Sequence, residues 1–259
     1  MKLDVKSYVA QEKEKLKQEI NNLDFTPSLL ILQKGNDSAS NAYINGKIRD
    51  GEDLKLKVDL FKTNNSKSIL EYLQKNAKHY KGIILQEPSG LTTAERDRVL
   101  ELICDSQDVD GFKTTSLHKP CTPAGIMGII EHFYSESLKG TTVVVVGKGA
   151  LVGKPLVPML MEKGATVISC NSATRPLTMY TKMGDIVIAA TGVPGLITRD
   201  MLKDNTLVID AGISVDTMGR LHGDCDFSLY DDENIRVTPV PGGVGLVTRL
   251  QLMKNIVRG

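Results

Sequence analysis

The sequence predicts an α/β protein in which parallel strands alternate with helices. Two observations carry that reading. Short apolar, often β-branched runs recur along the chain, and stretches of helical spacing separate them. One of these runs joins a buried strand to a glycine turn and a helix, TVVVVGKGALVGKP over Thr142 to Pro155. The valines Val143 to Val146 read as a strand covered on both faces. Gly147 and Gly149 let the backbone turn tightly and approach a ligand. Val152 to Lys163 reads as the helix that follows, with Pro155 and Pro158 tolerable in or before its first turn. Strand, glycine turn and helix make a dinucleotide-binding unit, in which the free N–H groups of the helix start hold a pyrophosphate. The spacing, Gly147, Gly149, Gly153, is one residue longer than the usual fingerprint, so an ordinary strand–turn–helix corner stays open on these residues alone.

From the N-terminus, residues 4–23 place Val5, Tyr8, Val9, Leu16, Ile20 and Leu23 near helical spacing, an amphipathic helix. Leu29 to Gln33 is a short apolar strand. KGNDSAS is then a turn in which Ser38 or Ser40 caps the next helix, and that helix carries Tyr43 and Lys47 one turn apart. Leu56 to Phe61 is a strand, Ser66 to Ala77 a helix, Gly82 to Leu85 a strand ending in Gln86, and Thr93 to Ile103 a helix. A new helix begins near Thr122, with Thr122 as cap and Pro123 at its first position. The second half repeats the alternation, with strands at Val143–Val146, Thr166–Ser169, Ile186–Ala190, Leu207–Asp210 and Arg236–Thr238. PVPGGVG then leads into a last amphipathic helix. The expected division is residues 1–120 with 246–259 against 121–245.

Bulk properties narrow the function. The 259 residues allow two ordinary domains; 41% are apolar and 24% charged, and the formal net charge is +1. No global field recruits nucleic acid or an anionic membrane, and no apolar run is long enough to span a bilayer. The charged N-terminus does not read as a signal peptide. Cys104, Cys121, Cys170 and Cys225 are scattered, which fits reduced thiols in a cytoplasmic protein. The histidines show no ligand spacing, so no metal site is expected.

Tyr43 and Lys47 form a Y-x-x-x-K pair. A lysine that moves protons near neutral pH must have its pKa lowered, and burial does this. Short-chain dehydrogenases carry the same pair after their glycine loop, whereas here it comes long before Gly147. A surface lysine is the bland alternative. Gln86, at the carboxyl end of a strand where α/β proteins gather ligands, would orient Lys47 by a hydrogen bond. Asp108 and Asp110 follow in a loop, either as ligand-gripping carboxylates or as ordinary turn residues.

Together, SASNAYINGK (38–47), DVDGF (108–112), PCTP (120–123), GDIVIAATGVPG (184–195), GDCDF (223–227) and TPVPGGVG (238–245) resemble the methylenetetrahydrofolate dehydrogenase/cyclohydrolase, or FolD, family, in order over nearly the whole chain. The resemblance implies two α/β domains flanking a cleft, the second a Rossmann-like doubly wound parallel sheet, in a homodimer. It implies oxidation of 5,10-methylenetetrahydrofolate by hydride transfer to NADP and hydrolysis of the methenyl product to 10-formyltetrahydrofolate, in one-carbon metabolism and purine supply. Lys47 would be the catalytic lysine and Gln86 its holder. Tyr43 would stack on the aminobenzoate ring, Asp110 would hydrogen-bond the pterin, and Pro241, Gly242 and Gly243 would line the folate side. Gly147, Lys148, Gly149, Ser172 and Thr191 would lie along the cofactor, with Ile213 near its nicotinamide end.

After TVIS no acid appears near the cofactor ribose, only Arg175, and Lys148 stands in the glycine loop; this favours NADP over NAD unless Arg175 points into solvent. Four stretches depart from the family pattern. Gln86-Glu87-Pro88-Ser89-Gly90 replaces Gln-Leu-Pro-Leu-Pro, Gly149 stands for a serine, Asn171 for a histidine, and Leu246-Val247 for Pro-Met. Glu87 either faces Lys47, raising its pKa and weakening hydrolysis, or turns outward. A dehydrogenase with little cyclohydrolase activity, another two-domain NADP dehydrogenase resembling shikimate dehydrogenase, and a non-catalytic folate or nucleotide binder are the rival readings.

Overall fold

The computed structural model describes residues 1–259, apart from the side chain at position 39. The chain forms two compact units, Gln11–Cys121 with Arg249–Gly259, and Met1–Ala10 with Thr122–Thr248. The first is called the lysine unit here and the second the glycine-loop unit.

The lysine unit takes most of α1 (Val5–Asn21), then β1 (Ser28–Lys34), α2 (Ser38–Asp53), β2 (Lys57–Thr63), α3 (Ser66–Asn76), β3 (Gly82–Leu85) and α4 (Thr93–Glu101). Its three strands are parallel in the order β2-β1-β3. The LLIL run of β1 shows why. Leu29 and Ile31 pack into one buried cluster with Leu16, Ile44 and Ile84, while Leu30 and Leu32 pack into another with Ile69, Leu73 and Val99. Strand side chains alternate between faces, so a run apolar at every position must be covered on both. Gln86 extends β3, its N–H bonding the Leu32 carbonyl at 2.9 Å.

The cap of α2 differs from expectation. Asp37, not Ser38 or Ser40, precedes the helix, and its carboxylate accepts the Ser40 N–H at 2.7 Å. A charged acceptor suits the positive end of a helix better than a hydroxyl, and Asp37 leaves Ser40 to be buried within the first turn. Thr92 and Glu95 close a reciprocal capping box at the start of α4.

The glycine-loop unit contains α5 (Cys121–Phe133) from Thr122 on, β4 (Thr142–Val146), α6 (Gly153–Glu162), β5 (Thr166–Cys170), α7 (Leu177–Thr181), β6 (Ile186–Ala189), β7 (Leu207–Asp210), the hairpin β8 (Ser214–Val215) and β9 (Leu221–His222), β10 (Arg236–Val237) and the start of α8 (Val244–Arg258). Five parallel strands run in the order β10-β7-β6-β4-β5. The chain leaves β4 for β5 on one side and returns to β6 on the other. That reversal leaves a crevice at the carboxyl ends of β4 and β6.

Residues 1–10 belong with this unit rather than with the lysine unit. The Leu3 N–H bonds the Val237 carbonyl at 2.9 Å, and the Val237 N–H bonds the Met1 carbonyl at 3.0 Å, so the chain start adds to β10. Thr122 lies inside α5, one residue past its start at Cys121, rather than before it as a cap. Pro158 sits in the interior of α6 rather than its first turn, so the Lys154 carbonyl has no helical donor four residues on.

Candidate active site

Lys47 comes from the middle of α2 and is buried, with 3% of its surface exposed. Its Nζ donates to Gln86 Oε1 at 3.1 Å and stands 5.0 Å from the centre of the Tyr43 ring. The amide orientation is fixed from the other side, because Gln86 Nε2 donates to the Glu87 carbonyl at 2.6 Å. Only the carbonyl oxygen is then available to the lysine. Burial lowers the Lys47 pKa, the Asp110 carboxylate and Cys121 oppose that shift, and the Arg249 guanidinium reinforces it. Burial also raises the Asp110 carboxyl, which Lys47 and a Cys121 hydrogen bond draw back down. Cys121 itself is pushed well up by burial and by Asp110, so it stands here as a thiol. Its Sγ donates to the Val109 carbonyl at 3.2 Å.

Asp108 serves the loop that carries Asp110. It is buried and accepts the Lys113 N–H at 2.8 Å. Glu87 turns away from the lysine. Its carboxylate pairs with Arg96 Nε at 2.8 Å and accepts the Ser89 N–H at 2.7 Å. The loop change thus closes on itself: the added acid has its own cation on α4. Its charge reaches Asp110, where it adds to the upward shift.

In the glycine-loop unit, Gly147 has φ +114°, and a Cβ there would fall 2.2 Å from the Ala190 carbonyl oxygen. A Cβ on Gly153 would fall 1.9 Å from the Gly147 carbonyl oxygen. The turn is therefore a bare-backbone cradle between the ends of β4 and β6, at the start of α6. Gly149 differs, since nothing lies within 4 Å of its Cβ position. Thr191, at the end of β6, donates through Oγ1 to Asp224 at 2.9 Å. Asp224 also takes the Gly192 N–H at 3.2 Å. Asp210, ending β7, accepts the N–H groups of Gly212, Asp224 and Cys225 at 2.9–3.0 Å. These two buried carboxylates fix the loops after β6 and β7 and before Phe227, and burial raises Asp210. Sequence reasoning quoted Asp224 only within a motif. Its signal was the glycine on its flank: a Cβ at Gly223 would meet Asp210 Oδ2 at 2.0 Å.

Ser172 and Arg175 are exposed in the turn after β5, where Arg175 Nη1 donates to the Thr174 carbonyl at 3.0 Å. Lys148 is exposed in the glycine loop, and Ile213 is 60% exposed before β8. Pro241, Gly242 and Gly243 form the turn between β10 and α8, in the glycine-loop unit. There a Cβ on Gly243 would meet the Pro239 carbonyl oxygen at 2.4 Å.

Residues 3–110 match the catalytic domain of tetrahydrofolate dehydrogenase/cyclohydrolase, and residues 120–259 match its NAD(P)-binding domain. The chain belongs to the tetrahydrofolate dehydrogenase/cyclohydrolase family. The bifunctional protein FolD of a Hydrogenobaculum species is 35% identical, the match covering 99% of this chain and 97% of that protein. The Staphylococcus aureus FolD is 33% identical over 98% of this chain and 94% of its own length. The crystal structure of the Campylobacter jejuni enzyme superposes with a TM-score of 0.91 at 31% identity, covering 100% of this chain and 97% of that one. That of Trypanosoma brucei, solved with NADP and an inhibitor, gives 0.90 at 25% identity over 99% and 95%. The dehydrogenase and cyclohydrolase activities toward tetrahydrofolate derivatives, in one-carbon metabolism, come with membership.

The glycine cradle fits the dinucleotide, because side chains at Gly147 and Gly153 would collide with backbone where a pyrophosphate must approach. The open space at Gly149 makes a test. Gly149→Ser has room for its hydroxyl, and one added hydrogen bond contributes about 0.5–1.5 kcal/mol, so KM for the dinucleotide is expected to fall about two- to tenfold. Steady-state titration of the cofactor checks this, and an unchanged or raised KM would mean the loop does not meet the phosphates there.

Proposed function

We propose that the protein oxidises 5,10-methylenetetrahydrofolate with NADP and hydrolyses the methenyl product to 10-formyltetrahydrofolate, with Lys47 as the proton-transfer group of hydrolysis. The observation that carries this is the buried Lys47, held by Gln86 and shifted toward its neutral form. A neutral amine accepts a proton from water as the water oxygen bonds the methenyl carbon. The resulting ammonium returns that proton to the ring nitrogen as the carbon–nitrogen bond breaks; the adduct's hydroxyl releases its own proton to solvent as its oxygen becomes the carbonyl, leaving the formyl group on the other nitrogen. Gln86 keeps Nζ in one place through both transfers. Tyr43 offers a ring face beside Nζ for the aminobenzoate, and Asp110 an acceptor or donor for the pterin.

Bound NADP supplies the acceptor for the hydride. Gly147, Gly149 and the start of α6 would hold its pyrophosphate, Thr191 would lie along it, and Ile213 near its nicotinamide end. Asn171, Ser172 and Thr174 line the turn after β5 with no carboxylate for ribose hydroxyls, while Lys148 and Arg175 would meet a 2′-phosphate. Ile213, Val215, Met218, Leu221 and Phe227 are exposed apolar side chains within one short stretch, which supports a homodimer formed through this unit. Among the described residues no helix is long and apolar enough to cross a membrane, and the four cysteines are free, as thiols of a cytoplasmic protein would be.

Purified protein given methylenetetrahydrofolate with NADP or NAD tests the reading, NADPH and methenyltetrahydrofolate being followed at separate wavelengths. Expected are both activities and a higher kcat/KM for NADP. Equal kcat/KM for the two cofactors rejects the cofactor preference, and methenyltetrahydrofolate that accumulates without hydrolysis rejects the second activity.

A further inference from the structure

Between Leu85 and Leu91 the chain reads Gln86-Glu87-Pro88-Ser89-Gly90. Its one apolar ring, Pro88, is exposed, so burial of aliphatic side chains does not anchor this loop. Polar contacts do. Lys34 Nζ donates to the Gly90 carbonyl at 2.9 Å, and the Ser89 N–H donates to Glu87 Oε2 at 2.7 Å. The other carboxylate oxygen, Glu87 Oε1, accepts from Arg96 Nε at 2.8 Å, and both side chains of that pair are partly buried. Arg96 comes from a helix start that is itself fixed. Thr92 and Glu95 close the capping box there, and Glu95 also accepts the Ser66 hydroxyl of α3 at 2.5 Å. The Arg96 guanidinium lies 5.5 Å from the centre of the Phe112 ring, two residues beyond Asp110. One side chain thus braces both the loop after β3 and the loop that carries Asp110.

From this pair an unbroken line of contacts runs to the lysine. Arg96 Nε meets Glu87 Oε1, the Glu87 carbonyl accepts from Gln86 Nε2 at 2.6 Å, and Gln86 Oε1 accepts from Lys47 Nζ at 3.1 Å. The middle bond decides which way round the Gln86 amide stands. With the Glu87 carbonyl displaced, the amide is free to turn and present its NH2 to Nζ. It would then donate to the lone pair of the neutral amine, the pair that must take the proton from water. It would also offer the ammonium no acceptor. We propose that Arg96 is a positioning residue for hydrolysis: by clamping Glu87, it holds in place the carbonyl that keeps the Gln86 oxygen turned to Lys47. This assignment rests on Lys47 being the proton-transfer group.

A double-mutant cycle tests this, read as the rate of methenyltetrahydrofolate hydrolysis by the full chain, with enzyme in excess and the spontaneous reaction subtracted. Arg96→Met keeps the apolar stem and removes the clamp. It is expected to lower the rate about three- to tenfold, the worth of one misdirected hydrogen bond. NADP affinity should stay parental, since the glycine loop belongs to the other unit. In a Gln86→Met background there is no amide to orient, so adding Arg96→Met should change the rate by less than about twofold. Glu87→Gln breaks the ion pair without leaving a loose carboxylate, and it too should slow hydrolysis; it takes the place of Arg96→Met if that variant does not fold. Arg96→Lys, which keeps a cation for Glu87, should recover most of the rate. A parental rate in either Arg96→Met or Glu87→Gln overturns the proposal. So do losses that multiply in the Gln86→Met background, or a Lys variant as slow as the Met variant, since general damage to packing would then be the cause. If Lys47→Met still hydrolyses at the parent rate, the assignment of Lys47 fails instead.

Discussion

Lys47→Met is expected to lose methenyltetrahydrofolate hydrolysis by about 10²–10⁴-fold, the usual contribution of a positioned acid–base group. The substitution is a mild one for the fold. Lys47 is almost wholly buried, and methionine has a similar length without a charge to desolvate. What is left behind is the Gln86 carbonyl oxygen without its donor, a cost of about 1–3 kcal/mol if no water replaces it. Gln86 keeps its second bond to the Glu87 carbonyl, so the amide stays in place. The melting temperature should therefore move little while hydrolysis collapses. A variant that keeps parental hydrolysis, with the spontaneous rate subtracted, means that another group moves the proton. In the parent, burial lowers the Lys47 pKa, so hydrolysis should climb with pH earlier than an exposed lysine would allow.

Gly153→Ala is expected to cut the dehydrogenase selectively. Its methyl would sit 1.9 Å from the Gly147 carbonyl oxygen, a backbone atom that cannot step aside without moving the whole turn. Overpacking of this kind costs about 1–3 kcal/mol. If the displaced turn is the one that must meet the pyrophosphate, cofactor affinity drops by one to two orders of magnitude for about that energy. Lys47 and Gln86 belong to the other unit, so hydrolysis of added methenyltetrahydrofolate should persist. Gly149→Ala is the control, because its Cβ meets nothing. Isothermal titration with NADP separates the cases. Parental affinity in Gly153→Ala would show that the cradle does not hold the dinucleotide, and joint loss of hydrolysis would point to a general failure of folding.

The strands were readable because each is a short run that one force dominates. Gly82–Leu85 and Leu207–Asp210 stand where their apolar runs stand, and the Tyr43–Lys47–Gln86 grouping followed from helix spacing and a strand end. Elements lacking such a run were hidden. The hairpin of β8 and β9 is built on Asp216, whose carboxylate accepts the Met218 and Arg220 N–H groups at 2.9 Å, and its strands are only two residues each. Helix α7 is too short to show a period. Long-range electrostatics left no local trace either. Nothing near Glu87 in sequence says that Arg96 turns back to it from the first turn of α4. Nothing near Lys47 says that Asp50 will hold an arginine from the last helix, and neither the strand end at Asp210 nor the motif around Asp224 says that their carboxylates gather the loops.

Gly46 and Arg249 also bear on how this sequence can change over time. Any side chain introduced at position 46 meets the Arg249 guanidinium, which Nε ties to Asp50 at 2.6 Å, so the guanidinium must shift to admit it. Loss of Asp50 alone would leave its two cations, Lys13 and Arg249, facing each other across the vacated position. Growth at position 46 is thereby coupled to movement of the Arg249 side chain, and through it to Asp50. Positions 46, 50 and 249 are therefore expected to vary together rather than one at a time.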